Sequence, residues 1–138
     1  DGIVAEVSTE VERGLGIDLV TEERFDMGQH GVHYAKTRYW HLMSLGVTKG
    51  QKVRIGDYIG QADNTGISSG DHLHFELKPV EPKSANFYSN VWAYNGYTGS
   101  INPDSFFNGS YAQDVPTLIG LLRKVVDLYT QIITIKTA

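Results

Sequence analysis

Gly70-Asp71-His72-Leu73-His74-Phe75-Glu76-Leu77 is the most informative segment of this 138-residue chain. Its alternation predicts a β-strand, in which successive side chains point to opposite faces. His72 and His74 would then lie side by side on one face, about 6–7 Å apart, with Leu73 and Phe75 on the other. Neutral imidazole binds zinc and titrates near neutral pH. The pair therefore indicates either a site for metal binding and proton transfer or two half-exposed strand histidines.

Two turn signals precede this strand. They are Asn64-Thr65-Gly66 and the small polar stretch at residues 68–71, Ser-Ser-Gly-Asp. The histidine pair thus lies where a loop enters a strand, a position at which functional residues collect. The two turns before the strand therefore favour a functional site over two half-exposed strand histidines.

The composition limits the class of protein. The length suits one domain with a core, with 41% hydrophobic residues, 20% charged residues and fifteen glycines. A net charge of −4 offers no basic face for nucleic acid. The chain has no cysteine, which excludes disulfides and thiolate metal sites.

The two ends of the sequence carry separate signals. The apolar stretch near the C-terminus is interrupted by Arg123, Lys124 and Asp127, so we expect neither a signal peptide nor a membrane span. The chain starts at Asp1-Gly2 without Met, directly before a predicted strand. We therefore expect a fragment or a processed product whose upstream part is missing.

Residues 2–77 read as short strands separated by turns. This pattern predicts a mostly β fold, a small antiparallel sheet or split barrel. Alternation places His41 on the face of Tyr39, and His41 would face the histidine pair if the two strands are neighbours. The predicted strands cover 3–7, 17–20, 32–41, 52–55, 58–62 and 72–77.

The remaining residues predict a loop-rich segment and a C-terminal α-helix. Residues 78–115 hold three of the four prolines. Phe87, Tyr88, Trp92 and Tyr94 in this segment either pack on the sheet or line a groove. Residues 108–115 read as a linker. From Pro116 to 138 the apolar residues recur at helical spacing and predict an amphipathic helix. Its stripe could dock on its own domain, or residues 117–136 could join a partner helix or a membrane surface.

The histidines suggest part of a hydrolytic zinc site, which needs three protein ligands, a general base and a group that stabilises the oxyanion. His74, His72 and His41 could supply one ligand and both auxiliary roles, so that two ligands remain to be found. The other candidates are weaker. We expect His30 and His33 to be solvent-exposed, Asp18 to lack a histidine partner, and Asp71 and Glu76 to be surface charges.

Residues 39–77 resemble the C-terminal half of the lysostaphin/LytM-type zinc metallopeptidases. The matching pieces follow the family's order and end in the complete His-Leu-His-Phe-Glu at 72–76. The start, Asp1-Gly2-Ile3-Val4, is similar to a strand in the middle of that family, and residues 94–97 and 101–103 look like a closing segment. The earlier pieces are Tyr-Trp-His-Leu at 39–42, Val-Thr-Lys-Gly-Gln-Lys-Val at 47–53, Gly-Asp-Tyr-Ile-Gly at 56–60 and Asn-Thr-Gly-Ile-Ser-Ser-Gly at 64–70.

The family cleaves peptide bonds of bacterial peptidoglycan with zinc held by His, Asp and His. The resemblance implies that His74 is the third zinc ligand, while His72 and His41 activate water and stabilise the tetrahedral intermediate. It also implies a fold similar to a duplicated hybrid motif, Zn²⁺ in the complete domain, peptidoglycan peptides as partners, and a secreted, periplasmic or cell-envelope location.

The first two ligands of the family form an H-x-x-x-D motif ahead of the segment where this chain begins. Residues 1–107 would therefore be the metallopeptidase domain without its N-terminal part. Asp18 mimics the Asp of that motif, but position 14 is glycine. We expect the chain to bind zinc weakly or not at all.

Two other classes compete with the endopeptidase. Residues 50–60 also resemble a hairpin of biotinyl and lipoyl carrier domains, but the turn at 64–66 contains no lysine to modify. Some relatives that lost zinc ligands serve as catalytically inactive modules that bind the cell wall or activate other hydrolases. A chain that lacks two ligands fits this second class.

Overall fold

The computed structural model describes residues 1–84, 87–94 and 96–107. They divide into two compact units, Asp1–Pro103 and the described start of Asp104–Ala138, where helix α1 covers Asp104–Phe107. The predicted linker at 108–115 and the predicted helix at 116–138, with its partner face at 117–136, lie outside the described residues. Among the residues described, no helix is long and apolar enough to cross a membrane.

The described residues of the first unit form an eight-stranded sheet whose pairings are all antiparallel, as predicted. The strands are β1 (Gly2–Glu10), β2 (Gly14–Thr21), β3 (Phe25–Asp26), β4 (Val32–Leu45), β5 (Lys52–Val53), β6 (Gly60–Ala62), β7 (His74–Ser84) and β8 (Phe87–Asn90). The main path runs β5-β1-β2-β4-β7-β8, while β3 and β6 pair with β4 off this path. The long strand β4 is therefore the centre of the sheet.

One face of the sheet carries the apolar core. Tyr39 on β4 lies between Ile17 on β2 and Phe75 on β7, and its ring meets that of Phe75 at a centroid distance of 5.3 Å. Burying each such side chain contributes roughly 1.5–3 kcal/mol. The buried residues of the main core cluster are Val4, Ile17, Leu42, Val47 and Val53.

The predicted loop-rich segment begins later than expected. Residues 78–84 continue β7, and β8 pairs with it as far as the Val80–Asn90 pair. The sequence prediction ended this strand at residue 77 because Pro79 and Pro82 follow, and proline is rare in the interior of a strand. Here each proline has a cross-strand partner, Ala35 and Tyr88 respectively.

The opposite face carries charged side chains in register across three strands. Asp18 on β2 lies opposite Arg38 on β4, which lies opposite Glu76 on β7. Two residues further along each strand, on the same face, Gly16 lies opposite Trp40, which lies opposite His74. The antiparallel register thus places a row of charges beside a row that contains a histidine.

The neighbouring row on the other side places Lys36 opposite Lys78. Burial lowers the pKa of Lys36, with Arg38 and Lys78 adding to this effect against the opposing charges of Asp18 and Glu76. Folding therefore disfavours the charged form of Lys36, and the free energy of unfolding should rise as pH increases from the lowered pKa toward the ordinary 10.5.

We predict that Lys36→Gln raises the free energy of unfolding near neutral pH by about 0.2–1 kcal/mol, because it removes a like-charge cross-strand pair. The variant should also lose the rise in stability at alkaline pH. Urea unfolding between pH 7 and pH 10.5 measures both effects, with exposed Lys83→Gln as the control. A less stable Lys36→Gln variant would contradict this account.

Gly16 leaves room for the indole of Trp40. A Cβ at position 16 would lie 2.1 Å from Cδ1 and 2.4 Å from Nε1 of that ring. Trp40 in turn stacks on His74, with ring centroids 5.7 Å apart and planes 27° from parallel.

We predict that Gly16→Ala lowers the free energy of unfolding by about 1–3 kcal/mol, the usual cost of overpacking, and shifts the Trp40 indole N–H resonance. Gly70→Ala is the matched control, because a Cβ at Gly70 meets nothing within 4 Å. Denaturant unfolding and indole NMR signals check both variants. Equal stability of the two would show that Trp40 moves aside at no cost.

Candidate active site

Three imidazoles meet where β4 and β7 pair. The ring centroid of His41 lies 4.8 Å from that of His72 and 5.8 Å from that of His74. His74 begins β7 opposite Trp40, whereas His72 precedes the strand and forms an isolated bridge with Asp63. The structure thus brings together the three histidines that the sequence indicated.

His41 reaches this cluster through a β-bulge. Its φ is +62°, an uncommon value for a residue other than glycine, and the pairing of β2 with β4 shifts register beside it. The expectation that His41 shares a face with Tyr39 is therefore wrong: Tyr39 packs on the core, whereas the ring of His41 contacts His72 and His74. The one-residue shift turns His41 away from the core face.

The loop between β6 and β7 orients two of the imidazoles. Nδ1 of His41 lies 2.8 Å from the carbonyl oxygen of Thr65, and Nδ1 of His72 lies 2.8 Å from that of Gly70. A carbonyl oxygen only accepts hydrogen bonds, so each Nδ1 carries a hydrogen and donates it. In the neutral rings Nε2 then has the lone pair, as a general base requires.

Backbone contacts with the turn between β1 and β2 support the same loop. The amide of Ile67 donates to the carbonyl of Glu12 at 2.8 Å. A Cβ on Gly66 would lie 2.4 Å from the backbone nitrogen of Gly14, so the two segments touch through glycine backbone. The carbonyls that orient His41 and His72 are thereby fixed to the sheet.

Glu76 contacts the ring of His74, because Oε1 of Glu76 lies 2.9 Å from Nε2 of the imidazole. Glu76 is only 5% exposed, so the expectation of a surface carboxylate is wrong. Burial opposes its ionisation, but hydrogen bonds from Lys78 and His74 and the charges of Lys78 and Arg38 outweigh burial and lower the pKa of Glu76. Asp71, in contrast, is exposed as expected.

Asp18 is engaged by Arg38 rather than free to bind a metal. The Nε and one Nη nitrogen of the guanidinium lie 2.7 and 2.8 Å from the two carboxylate oxygens. This two-point contact uses both oxygens of a carboxylate that is 8% exposed. Asp18 therefore acts as the ion-pair partner of Arg38 on the charged face of the sheet.

His30 and His33 lie in a different part of the first unit and are half-buried, not solvent-exposed as expected. Both rings contact Trp92, at centroid distances of 5.4 and 5.9 Å. Nδ1 of His33 also lies 2.7 Å from Oε1 of Glu81, and this contact, with that of Arg24, lowers the pKa of Glu81. These histidines belong to a local packing cluster.

A groove of about 300 Å³ opens beside the histidine cluster. Trp40 lines the groove and also stacks on His74, so it connects the groove with the three histidines. The sequence did not indicate Trp40 or Glu76 as site residues, although alternation from His74 would have placed Glu76 on its face. The side chains that line the groove include Glu6, Glu10, Arg13, Asp18, Arg38 and Trp40.

A hydrolytic zinc ion needs three protein ligands. Within residues 1–84, 87–94 and 96–107, no three histidine or carboxylate side chains are grouped so that they could hold a metal ion. His74 is one candidate ligand, while Asp18 and Glu76 are engaged by cationic side chains. The described residues alone do not fit a complete zinc site.

Known proteins with similar sequences include bacterial peptidases. Over 62 residues the chain is 50% identical to the peptidoglycan DD-endopeptidase ShyA of Vibrio cholerae serotype O1, a match that covers 42% of this chain and 14% of ShyA. It is 34% identical over 88 residues to an uncharacterized metalloprotease of Buchnera aphidicola subsp. Baizongia pistaciae, covering 61% of this chain and 21% of that protein. The chain thus spans under a quarter of either relative.

The fold is similar to the solved structure of LytU, with a TM-score of 0.55 and 23% identity over 78% of this chain and 60% of that chain. At this identity the likeness supports the fold alone. The sequence model of peptidase family M23 matches residues 2–86, which is more than half of the chain. The chain therefore belongs to peptidase family M23.

Proposed function

We propose that this chain is part of a zinc-dependent metalloendopeptidase that hydrolyses peptide bonds of bacterial peptidoglycan in the cell envelope. The observation that carries the proposal is the contact of His41 with His72 and His74 in a member of peptidase family M23. The substrate follows the printed names of relatives such as ShyA, a peptidoglycan DD-endopeptidase. His74 is the proposed metal ligand, and two further ligands would come from outside the described residues.

His72 is the proposed general base. When water attacks a peptide carbonyl, a C–O bond forms and the water loses a proton, which the leaving amine gains as the C–N bond breaks. The exposed His72 has Nε2 free to accept that proton and to return it to the amine, since Nδ1 is bound to the carbonyl of Gly70. General acid–base catalysis of this kind contributes about 10²–10⁴-fold to the rate.

His41 is the proposed stabiliser of the oxyanion. As an imidazolium, formed by taking a proton from solvent onto Nε2 before attack, His41 would donate Nδ1–H to the carbonyl of Thr65 and present Nε2–H to the negative oxygen of the tetrahedral intermediate. The bulge and low exposure, 8%, hold the ring in place before the reaction. Such preorganised donors contribute about 10²–10³-fold.

We predict that His72→Ala and His41→Ala each lower the release of muropeptides by at least about 100-fold, because each removes a proton-transfer or oxyanion group. The assay uses the full-length gene product on purified peptidoglycan, with zinc stoichiometry measured in parallel. His30→Ala is the matched control, since His30 lies beside Trp92, and it should keep activity.

His74→Ala should lose both bound zinc and activity. Muropeptide release that survives His74→Ala would contradict the ligand assignment, and release that survives both other substitutions would contradict the acid–base roles. Each variant's thermal unfolding is compared with wild type, so that loss of fold is recognised.

The second candidate is a catalytically inactive module that binds the cell wall or activates another hydrolase. It is favoured by the lack, among the residues described, of three grouped ligands. Wild-type protein that binds peptidoglycan without zinc and releases no muropeptides would establish this candidate instead.

A further inference from the structure

Arg13, in the turn between β1 and β2, is a cation of the groove whose charge is weakly engaged. Its side chain is 60% exposed, and its Nε lies 3.3 Å from a carboxylate oxygen of Glu10, which is also exposed. An exposed ion pair of this kind contributes little to stability, because water and salt screen both charges. The guanidinium can therefore exchange Glu10 for the carboxylate of a ligand.

The second cation among the described residues that line the groove, Arg38, is already engaged. Its guanidinium makes the two-point contact with Asp18, and its side chain is 17% exposed. Glu6, on the wall of the groove, forms an ion pair with Lys49. Of the charged side chains described in this groove, Arg13 is thus the cation that an anionic ligand can reach from solvent.

The position of Arg13 is fixed relative to the three histidines. A Cβ on Gly66 would lie 2.5 Å from the carbonyl carbon of Arg13 and 2.8 Å from its carbonyl oxygen, so the two backbones touch. Gly66 follows Thr65, whose carbonyl oxygen accepts a hydrogen bond from His41. The backbone of Arg13 is therefore packed against the loop that orients an imidazole of the site.

The side chain of Arg13 points toward the same site. Its guanidinium carbon lies 5.7 Å from the ring centroid of Trp40, within the range of a cation–π contact. Trp40 in turn stacks on His74 with a centroid distance of 5.7 Å. The guanidinium and the imidazole of His74 therefore lie within the span of about three residues of extended peptide, at roughly 3.3 Å per residue.

We propose that Arg13 binds a carboxylate of the peptide substrate, located within about three residues of the scissile bond. A guanidinium group suits this ligand, because its planar donors form two parallel hydrogen bonds with the two carboxylate oxygens. The proposal rests on the function proposed above, which makes the ligand a peptide. The preferred substrate is accordingly a peptide with a free carboxylate near the cleaved bond.

The test is a thermodynamic cycle that combines Arg13→Gln with amidation of the ligand. Calorimetry measures the Kd of the full-length gene product for soluble muropeptides, after chelation of metal so that no bond is cleaved. The muropeptides are used with all carboxylates free, with only the C-terminal carboxylate amidated, and with only the side-chain carboxylates amidated. The two amidated forms distinguish which carboxylate Arg13 binds.

We predict that one of the two amidations raises the Kd of wild type by about 10–100-fold, the usual effect of losing a hydrogen bond to a charged group. Arg13→Gln should raise the Kd for the free muropeptides by a similar factor. The same amidation should then have little further effect on Arg13→Gln, because both changes remove one contact.

Arg54→Gln is the matched control, because Arg54 is an exposed arginine that lines a different groove. It removes the same charge and should leave the effect of amidation as in wild type. Amidation that weakens Arg13→Gln as much as wild type would overturn the proposal, and so would an Arg54→Gln variant that behaves like Arg13→Gln. Failure of wild type to bind the free muropeptides would overturn it as well.

The hydrolytic function is tested separately, by muropeptide release from the metal-loaded protein. A protein that shows the predicted cycle but releases no muropeptides would overturn the proposed hydrolysis and leave the carboxylate site of Arg13 in place. A protein that releases muropeptides but shows no coupling between Arg13 and a carboxylate would do the reverse. The two failures are therefore distinguishable.

Discussion

Thr65 joins the segments on which the histidine cluster depends. Its carbonyl accepts from His41, while its hydroxyl donates to the carbonyl of Leu42 at 2.6 Å and accepts from the amide of Leu15 at 3.1 Å. Positive φ at His41 costs of order 1–3 kcal/mol, and a hydrogen bond contributes about 0.5–1.5 kcal/mol. The strain at His41 is therefore offset only while Thr65, and the amide of Asp63 that donates to the carbonyl of His41, remain in place.

The local periodicities of the sequence were sufficient to predict the sheet, but not the meeting of the histidines. Period-two alternation identified the main strands, and their antiparallel class is confirmed. Periodicity leaves open whether the strands of His41 and His74 are neighbours, and the family resemblance implied only that His41, His72 and His74 act in one site. The two prolines in residues 78–84 misled the prediction, since a strand stabilised by partners on both sides tolerates residues that local propensity opposes.

The details that complete the site depend on long-range contacts. The residue with positive φ at the bulge is His41 rather than a glycine, so the sequence does not reveal the bulge. The bulge is maintained by Thr65, which lies 24 positions further along the chain. Glu76 looked like a surface charge because its partner Arg38 comes from another strand, and register decides whether the two meet. Local sequence therefore predicts which residue types are available, whereas cross-strand register decides which of them are buried and paired.

Cationic side chains occupy the buried carboxylates beside the three imidazoles. Each buried charge in the row needs its neighbour, because an unpaired buried ion costs several kcal/mol. The two carboxylates are thereby withdrawn from metal coordination and hold other side chains in position. His72 and His74 lie two positions apart in the sequence, but only His74 belongs to β7. A backbone carbonyl accepts from Nδ1 of His72, whereas a carboxylate contacts Nε2 of His74, so the two rings differ chemically. The paired charges are those of Asp18, Arg38 and Glu76 in one row and of Lys78 in the neighbouring row.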